Sequence, residues 1–520
     1  MLLAETGYRG FGAGHLRWML TATVLGHWSP LAWLSFALDH AVGGLDPRVY
    51  HATNLALHAA NAALVCVVAR HLLRPALAPR GGEGAVGAGA LAAAVLFAVH
   101  PLRAETVAWV SDRRDLLCAA FLLTAVLGYL RGVSPDRPLA GGWRAVSLAA
   151  FAAALASKGL AVVLPLLLLV LDRYPLGRAG RGWLALAREK IPYAALALAG
   201  AGLIWAAVRA SATVAGYHEY GPFARLGLAG YSLWIHPARF VWPVDLSPLY
   251  ELPPAGSLLA PRFVLPALGA LAASVALVQL RDRWPAGLAA WAASLVVLAP
   301  VSGIVLVGRQ LAADRYTYMS GLGLTMLVAG GVVWILAPRR LPTRLAAGAG
   351  ALLLLLALGG LAWQQTRIWR DSEALWRHAV AVQEDCVTCL NNLARALMRG
   401  DGQSQGRLTR LAEAENLLRR AVALRPDQPG PYRNLGALLI MAARWSEAEA
   451  VFAEYLRRWP ISADGPAGLA AAREGRGDTE GAVALLRLAL ALEPGFSGAR
   501  GELSRLERAL DRPAAGGPGR

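Results

Sequence analysis

The segment from His100 to Asp115 gathers groups that handle protons and phosphates. It carries Glu105, Asp112 and Asp115 as acids, Arg103, Arg113 and Arg114 as cations, and Trp109 between them. A carboxylate can accept the proton of an attacking hydroxyl, and a guanidinium forks onto a phosphate. Glu105, Asp112 and His100 are therefore candidate catalytic residues, and Arg113 is a candidate phosphate contact. Pro101 suits the first turn of a helix. On one continuous helix Glu105, Trp109 and Asp112 share a face at i, i+4 and i+7. A solvated helix whose charges pair with one another is the plainer alternative.

Two further cations fit the same chemistry. Lys158 lies in a tight turn, Ser157-Lys158-Gly159, between apolar runs, and Arg315 lies in Asp314-Arg315-Tyr316-Thr317-Tyr318 at the entrance of another run. Each could hold a phosphate. Snorkelling of Lys158 to the interface and pairing of Arg315 with Asp314 are the alternatives. His51, Asn54, His58 and Asn61 recur at helical spacing and fall on one face. Inside a bilayer such groups face the protein interior or a wet cavity. They either line a polar cavity near the outer surface or hydrogen-bond between helices.

These groups must be positioned by apolar elements. The chain has 520 residues, 56% hydrophobic and only 16% charged, against roughly 25% charged in soluble domains. Its mean hydropathy is +0.44. Apolar runs lie near 52–72, 86–100, 114–131, 143–156, 160–172, 192–210, 263–281, 285–306, 317–336 and 344–364. Unpaired backbone is forbidden in lipid, so ten membrane helices are expected. Residues 1–15 hold no apolar run, so neither a signal peptide nor a membrane helix is expected before Leu16. The stretch 226–245 is broken by His236, Pro237, Arg239 and Pro243 and reads as an interfacial or re-entrant helix.

The net charge of +17 comes almost wholly from arginine, since Lys158 and Lys190 are the only lysines. Arginines cluster at alternate connectors: Arg70, Arg74 and Arg80; Arg131, Arg137 and Arg144; Arg173 to Lys190; Arg281 and Arg283; Arg339 to Arg344. The positive-inside rule puts these in the cytoplasm and the remaining loops, with the tail, outside. No basic stripe interleaved with aromatics argues for nucleic acid.

The tail is a repeat array. Pro426, Pro460 and Pro494 recur every 34 residues, as do Ala448 and Ala482, and Asn434-Leu435-Gly436 marks a close helix crossing. Such periods belong to stacked helical hairpins of the tetratricopeptide (TPR) type, whose concave face holds peptide. The expected division is an external segment over 1–50, a membrane domain over 51–365, repeats over 366–510 and a disordered tail over 511–520. The overall class is all-α: a polytopic transmembrane bundle followed by an α-solenoid.

Cys66 and Cys118 read as core filler. The pair Cys386 and Cys389 supplies two ligands where structural zinc needs four, leaving incidental placement or a disulfide. A divalent metal has no ligand set to support it. No G-x-x-x-x-G-K-[ST] loop, HExxH pair or G-x-S-x-G elbow is present, which suits a substrate arriving through the bilayer.

Taken together, the segments Trp28 to Ser35, Gly44 to His51, Asn54 to Asn61, Phe97 to Asp115, Ser157-Lys158, Pro165 to Arg178, Asp314 to Tyr318 and the repeats resemble the transmembrane-and-TPR O-mannosyltransferases, in a bacterial form. These are type C glycosyltransferases using polyprenyl-phosphate sugars. The resemblance implies a multi-pass inner-membrane hexosyltransferase with an outward active site. It would move a sugar, mannose by analogy, to a periplasmic protein acceptor presented by the concave face of the repeats. By position it assigns Glu105 and Asp112 to the second outer loop and Lys158 and Arg315 to the lipid phosphate. The family begins with a membrane helix and an acidic pair that supplies the base, whereas this sequence opens at Met1-Leu-Leu-Ala-Glu5. Activity is thus expected of a longer form. The rival readings are a non-enzymatic membrane scaffold for envelope proteins and a transporter, the latter without the inverted repeats it needs.

Overall fold

A computed structural model describes residues 4–24, 26–133, 140–211, 220–254, 260–304, 310–400, 404–496 and 498–511. The expected tail beyond Asp511 and the connector residue Arg137 lie outside the described residues. The chain divides into two compact units, Met1–Trp369 and Arg370–Arg520. Both are helical, with only two short two-stranded sheets among the described residues, Thr23–Val24 with His27–Trp28 and Tyr250–Glu251 with Gln310–Ala312, both in the first.

Prolines open the helices of the first unit. Pro30, Pro47, Pro101, Pro222, Pro261 and Pro285 all occupy a first turn, where the missing N–H would have had no helical partner. Asp46 caps the Pro47 helix by accepting from the Arg48 N–H at 2.9 Å. That helix, Pro47–Val99, breaks at Gly81 and at Gly82, whose φ is +64°. Its two arms fold back on each other: a Cβ on Gly89 would stand 2.6 Å from Leu77.

Each of the ten expected apolar runs falls mostly on helix over its described residues, yet among the described residues five helices are long and apolar enough to cross a membrane. They are Pro47–Val99, Val110–Gly132, Trp183–Ala207, Pro261–Gln279 and Leu341–Arg367. Asp314–Ser320 and Leu322–Leu336, bent by 61°, make a sixth if taken as one span. The difference is local. Two runs share the broken Pro47–Val99 helix, while Gly141–Ser157, Leu164–Arg173 and Pro285–Leu298 have 17, 10 and 14 residues. The protein is a multi-pass membrane protein. Val110–Gly132 is 67% buried over its most apolar window and is central, whereas Leu341–Arg367, at 6%, is apolar on all sides and faces outward. The Pro222–Val241 helix is not among the spans; it packs closely on Pro261–Gln279, where Gly230 meets Ala267.

The second unit is an α-solenoid of antiparallel hairpins. Its described helices are Ser372–Val382, Val387–Arg399, Ser404–Leu424, Pro429–Met441, Trp445–Arg458, Asp464–Gly475, Thr479–Leu492 and Ala499–Leu510. Pro426, Pro460 and Pro494 each sit two residues past a helix end, where a helix must stop. A Cβ on Gly436 would run into the Phe452 ring, so only glycine admits this crossing. Ala448 and Ala482 are fully buried on the second helices. Cys386 and Cys389 form a disulfide at the start of the Val387–Arg399 helix.

Candidate active site

The His100–Asp115 segment is not one helix. A 3-10 turn over Pro101–Arg103 leads into Ala104–Ala108; Trp109 is extended (φ −80°, ψ 99°); a second turn over Val110–Asp112 precedes Arg113–Gly132. The extended Trp109 interrupts the i to i−4 ladder, so Glu105 and Asp112 do not share a helical face. Tertiary packing brings them to one cluster instead. Trp109 stacks on Trp369 with centroids 6.1 Å apart, and the Arg315 guanidinium lies 5.3 Å from the Trp109 ring.

Three acids and three cations make up the cluster. Glu105 accepts from the Arg315 backbone N–H at 2.8 Å and from its guanidinium at 2.5 Å. Arg315 donates a further bond to Gln310 at 2.8 Å. Lys158 donates to both oxygens of Asp115 at 2.5 Å. Asp112 lies between these pairs, within electrostatic reach of Asp115, Lys158 and Arg315. It is fully buried and receives no hydrogen bond from an N–H or hydroxyl donor among the described residues; its side-chain partner is the Asp115 carboxyl. Its nearest cation is Arg114, whose Nε stands 3.9 Å away. Arg315 does not pair with Asp314, which accepts from Tyr250 Oη at 3.0 Å and pairs with Arg239 at 3.2 Å.

His27, on the Thr23–Trp28 hairpin, faces the same cluster. Its ring is solvent-exposed at its own surface. The protein mass around it, then Arg114 and Lys158, push its pKa down to about 3, so it stays neutral. Sequence reasoning missed His27 and Arg114 as site residues. The only signal for His27 was its place directly before the Trp28–Ser35 segment.

Three expected site assignments change. Arg113 is a structural staple: it pairs with Asp39 and donates to Asn54 Oδ1 at 2.8 Å, Ser35 Oγ at 3.1 Å and the Tyr50 carbonyl at 2.7 Å. It is fully buried with its fork occupied, and the neighbouring Arg114 stands by the acids. His100 caps the Pro101 turn, its Nδ1 accepting from the Leu102 N–H at 3.3 Å, and its Nε2 donates to the Phe240 carbonyl at 3.0 Å. Burial first, then Arg103, push its pKa down to about 4. Neither ring nitrogen is available for proton transfer. The polar stripe is taken up by hydrogen bonds between elements. Asn54 donates to the Val107 carbonyl at 3.1 Å, His58 bonds Tyr318 Oη at 2.8 Å, and Asn61 donates to the Leu116 carbonyl at 3.0 Å. His51 is exposed, outside the cluster.

Burial pushes the Glu105 carboxyl up from its ordinary value, and Arg315 opposes that by its charge and two hydrogen bonds. Arg103 backs the site from below, donating to the Thr317 carbonyl at 2.6 Å over the Phe97 ring. Burial lowers it to about 10, so it remains charged. Among the described residues no three His, Cys, Asp or Glu side chains converge as metal ligands. An apolar groove of about 380 Å³ runs between Leu73, Leu77, Ala293, Gly323, Met326 and Trp334.

No protein-family profile matches the chain. Over 106 residues it is 42% identical to protein O-mannosyl-transferase Tmtc1 of Drosophila melanogaster, covering 20% of this chain and 11% of the relative. Over 114 residues it is 36% identical to protein O-mannosyl-transferase TMTC2 of Homo sapiens, covering 22% and 12%. Over 113 residues it is 38% identical to TMTC4 of Homo sapiens, covering 20% and 14%. The aligned stretches thus span only 11–14% of those relatives. Among solved structures, a TPR protein of Thermus thermophilus aligns with 32% of this chain and 96% of its own at TM-score 0.24 and 19% identity. At that score the solenoid assignment rests on the helix pairs described above. The chain is similar, over about a fifth of its length, to protein O-mannosyl-transferases.

Proposed function

We propose that this protein is a membrane glycosyltransferase that moves a hexose, mannose by analogy with its relatives, from a polyprenyl phosphate to a protein hydroxyl. The observation that carries the proposal is Asp112, a buried carboxyl that shares a hydrogen bond with Asp115 and stands among Arg114, Lys158 and Arg315. In the proposed reaction Asp112 takes the acceptor hydroxyl's proton as the oxygen bonds to the sugar's anomeric carbon. The bond from that carbon to the phosphate oxygen breaks with inversion, and polyprenyl phosphate leaves with the electron pair. Lys158, Arg114 and Arg315 neutralise it. Glu105 acts through Arg315, holding the guanidinium in place. The apolar groove, whose Gly323 lies on the Leu322–Leu336 helix just past the bend that follows Arg315, would take the isoprenoid chain.

The repeat unit would present the acceptor. We read the site and the repeats as facing the non-cytoplasmic compartment of a bacterial inner membrane. The Cys386–Cys389 disulfide supports an oxidising location for the repeats. A reporter fused at the C-terminus tests this, and a cytoplasmic signal would refute it.

The activity test uses the purified full chain with polyprenyl-phosphate mannose and a serine- and threonine-containing peptide. The measured product is free polyprenyl phosphate together with mannosylated peptide. Asp112→Asn is expected to lower turnover by about 10²–10⁴-fold, the usual contribution of a general base. Equal turnover in that variant removes Asp112 from the mechanism. Transfer from a nucleotide-linked sugar, with none from the lipid-linked one, refutes the donor class.

A further inference from the structure

The repeat unit holds a second candidate binding site, in a cleft of about 480 Å³ at its first hairpins. One wall is the polar face of Val387–Arg399, which presents Asn392, Arg395 and Arg399. The opposite face of that helix buries Leu390, Leu393, Ala394 and Leu397 in the solenoid core, so the polar stripe is fixed toward the cleft. Asp371, Glu373 and Arg410 also line the cleft, but Glu373 and Arg410 neutralise each other at 2.8 Å, Glu373 also pairs with Arg377 at 3.0 Å, and Asp371 caps its helix by accepting from the Ala374 N–H at 2.7 Å and pairs with Arg370 at 3.1 Å.

Arg395 and Arg399 are different. Among the described residues neither makes an ion pair or a hydrogen bond, although almost every other arginine facing an acid in this unit does. Arg433, on the next repeat's first helix, lies within electrostatic reach of Arg395; its one acid, Asp464, is 3.3 Å away. Burial, then the like charges of Arg399 and Arg433, lower the Arg395 pKa from its ordinary value. Arg395 and Arg399, four residues apart on one helix and without a paired carboxylate among the described residues, repel one another. Beside them Asn434 donates to Asn391 at 2.7 Å, an amide pair bridging the two repeats. Amides hydrogen-bond an extended peptide backbone whatever its side chains. Guanidiniums add selectivity for carboxylates.

We propose that this cleft binds an extended, acidic peptide segment, with Arg395 and Arg399 taking its carboxylates and Asn392 its backbone. The proposal deepens the acceptor-presentation reading by naming the acceptor's charge class. It stands or falls on binding alone, without any transfer.

The test uses the full chain in neutral-lipid nanodiscs and a fluorescent peptide with glutamates flanking a central threonine. The comparison peptide carries glutamine at each glutamate. The acidic peptide is expected to bind about tenfold more tightly, with a difference that shrinks as salt rises. Arg395→Gln with Arg399→Gln should erase the difference and leave the glutamine peptide's affinity unchanged. Arg500→Gln, at the far end of the solenoid, should leave both affinities unchanged. An unchanged thermal midpoint of the repeat unit keeps a folding defect from imitating the result. Equal affinity for the two peptides overturns the proposal, as does full preference in the double variant. Displacement of the acidic peptide by anionic-lipid nanodiscs at matched charge would assign the arginines to a lipid surface and overturn it too. Asp112→Asn should bind the acidic peptide normally, which separates failure of this proposal from failure of the transferase reading.

Discussion

The two units use charge in opposite ways. In the first, the ion pairs around the candidate site and its supports are buried, as in Arg113 with Asp39, Glu105 with Arg315, Lys158 with Asp115, and Asp172 shared by Arg178 and Lys190, while exposed pairs such as Arg74 with Glu83 lie at the connectors. In the second, they are numerous and wet, as in Arg377 with Glu413 or Arg444 with Glu415. A buried pair offsets its desolvation only when every arm is satisfied, so losing one partner strands the other. A surface pair competes with water throughout, and its loss costs little. Against that background Asp112 stands out within the first unit: a buried acid that receives no bond from a cation at hydrogen-bond distance and meets another acid, Asp115, instead. Residues that break a local rule in this way are where function is expected.

Asp112→Asn offers the sharpest way to break the comparison. Transfer should fall by about 10²–10⁴-fold, while the thermal midpoint of the full chain stays level, since the amide keeps the size of the carboxyl and can still donate to Asp115. A lowered midpoint would make Asp112 one more structural acid. Arg113→Leu should do the reverse. It strands Asp39 and should destabilise the first unit by about 3–5 kcal/mol, read by hydrogen exchange over residues 26–133. Adding Asp39→Leu should recover much of that loss, and no recovery would mean the pair was not the cause.

In the second unit, packing should outweigh charge. Gly436→Val pushes a side chain into Phe452 and should cost about 1–3 kcal/mol, localised by exchange to Pro429–Arg458. Arg377→Ala removes an exposed pair and should cost less than about 1 kcal/mol. Its effect carries a pH sign. A hydrogen bond from Arg377 holds the Glu413 carboxyl below its ordinary value, against burial. Its contribution is therefore complete above the unfolded pKa of about 4.3 and disappears as pH falls through the lower folded value. The wild type and Arg377→Ala should converge in stability on acidification. Stability curves that remain parallel down to about pH 2, below the folded carboxylate range, would show the pair contributes nothing.

The sequence alone determined much of this. Long apolar runs can only be membrane helices, because backbone polar groups in lipid must bond within their own segment. The 34-residue recurrence of Pro426, Pro460 and Pro494 can only be stacked hairpins, because one hairpin cannot bury its own apolar face. Glu105, Asp112, Lys158 and Arg315 were legible as candidates because acids and cations beside a bilayer need a reason. What the sequence left open was partner choice. Arg113 and Arg114 are adjacent and alike in type, yet opposite in role, because a helix turns about 100° per residue and points one into Asp39 and the other toward Asp112. His27 and Asp39 lie far along the chain from the groups they face, and no local period reports such contacts. Only the tertiary structure, by breaking the helix at Trp109 and folding Arg315 onto Glu105, decided which charges meet.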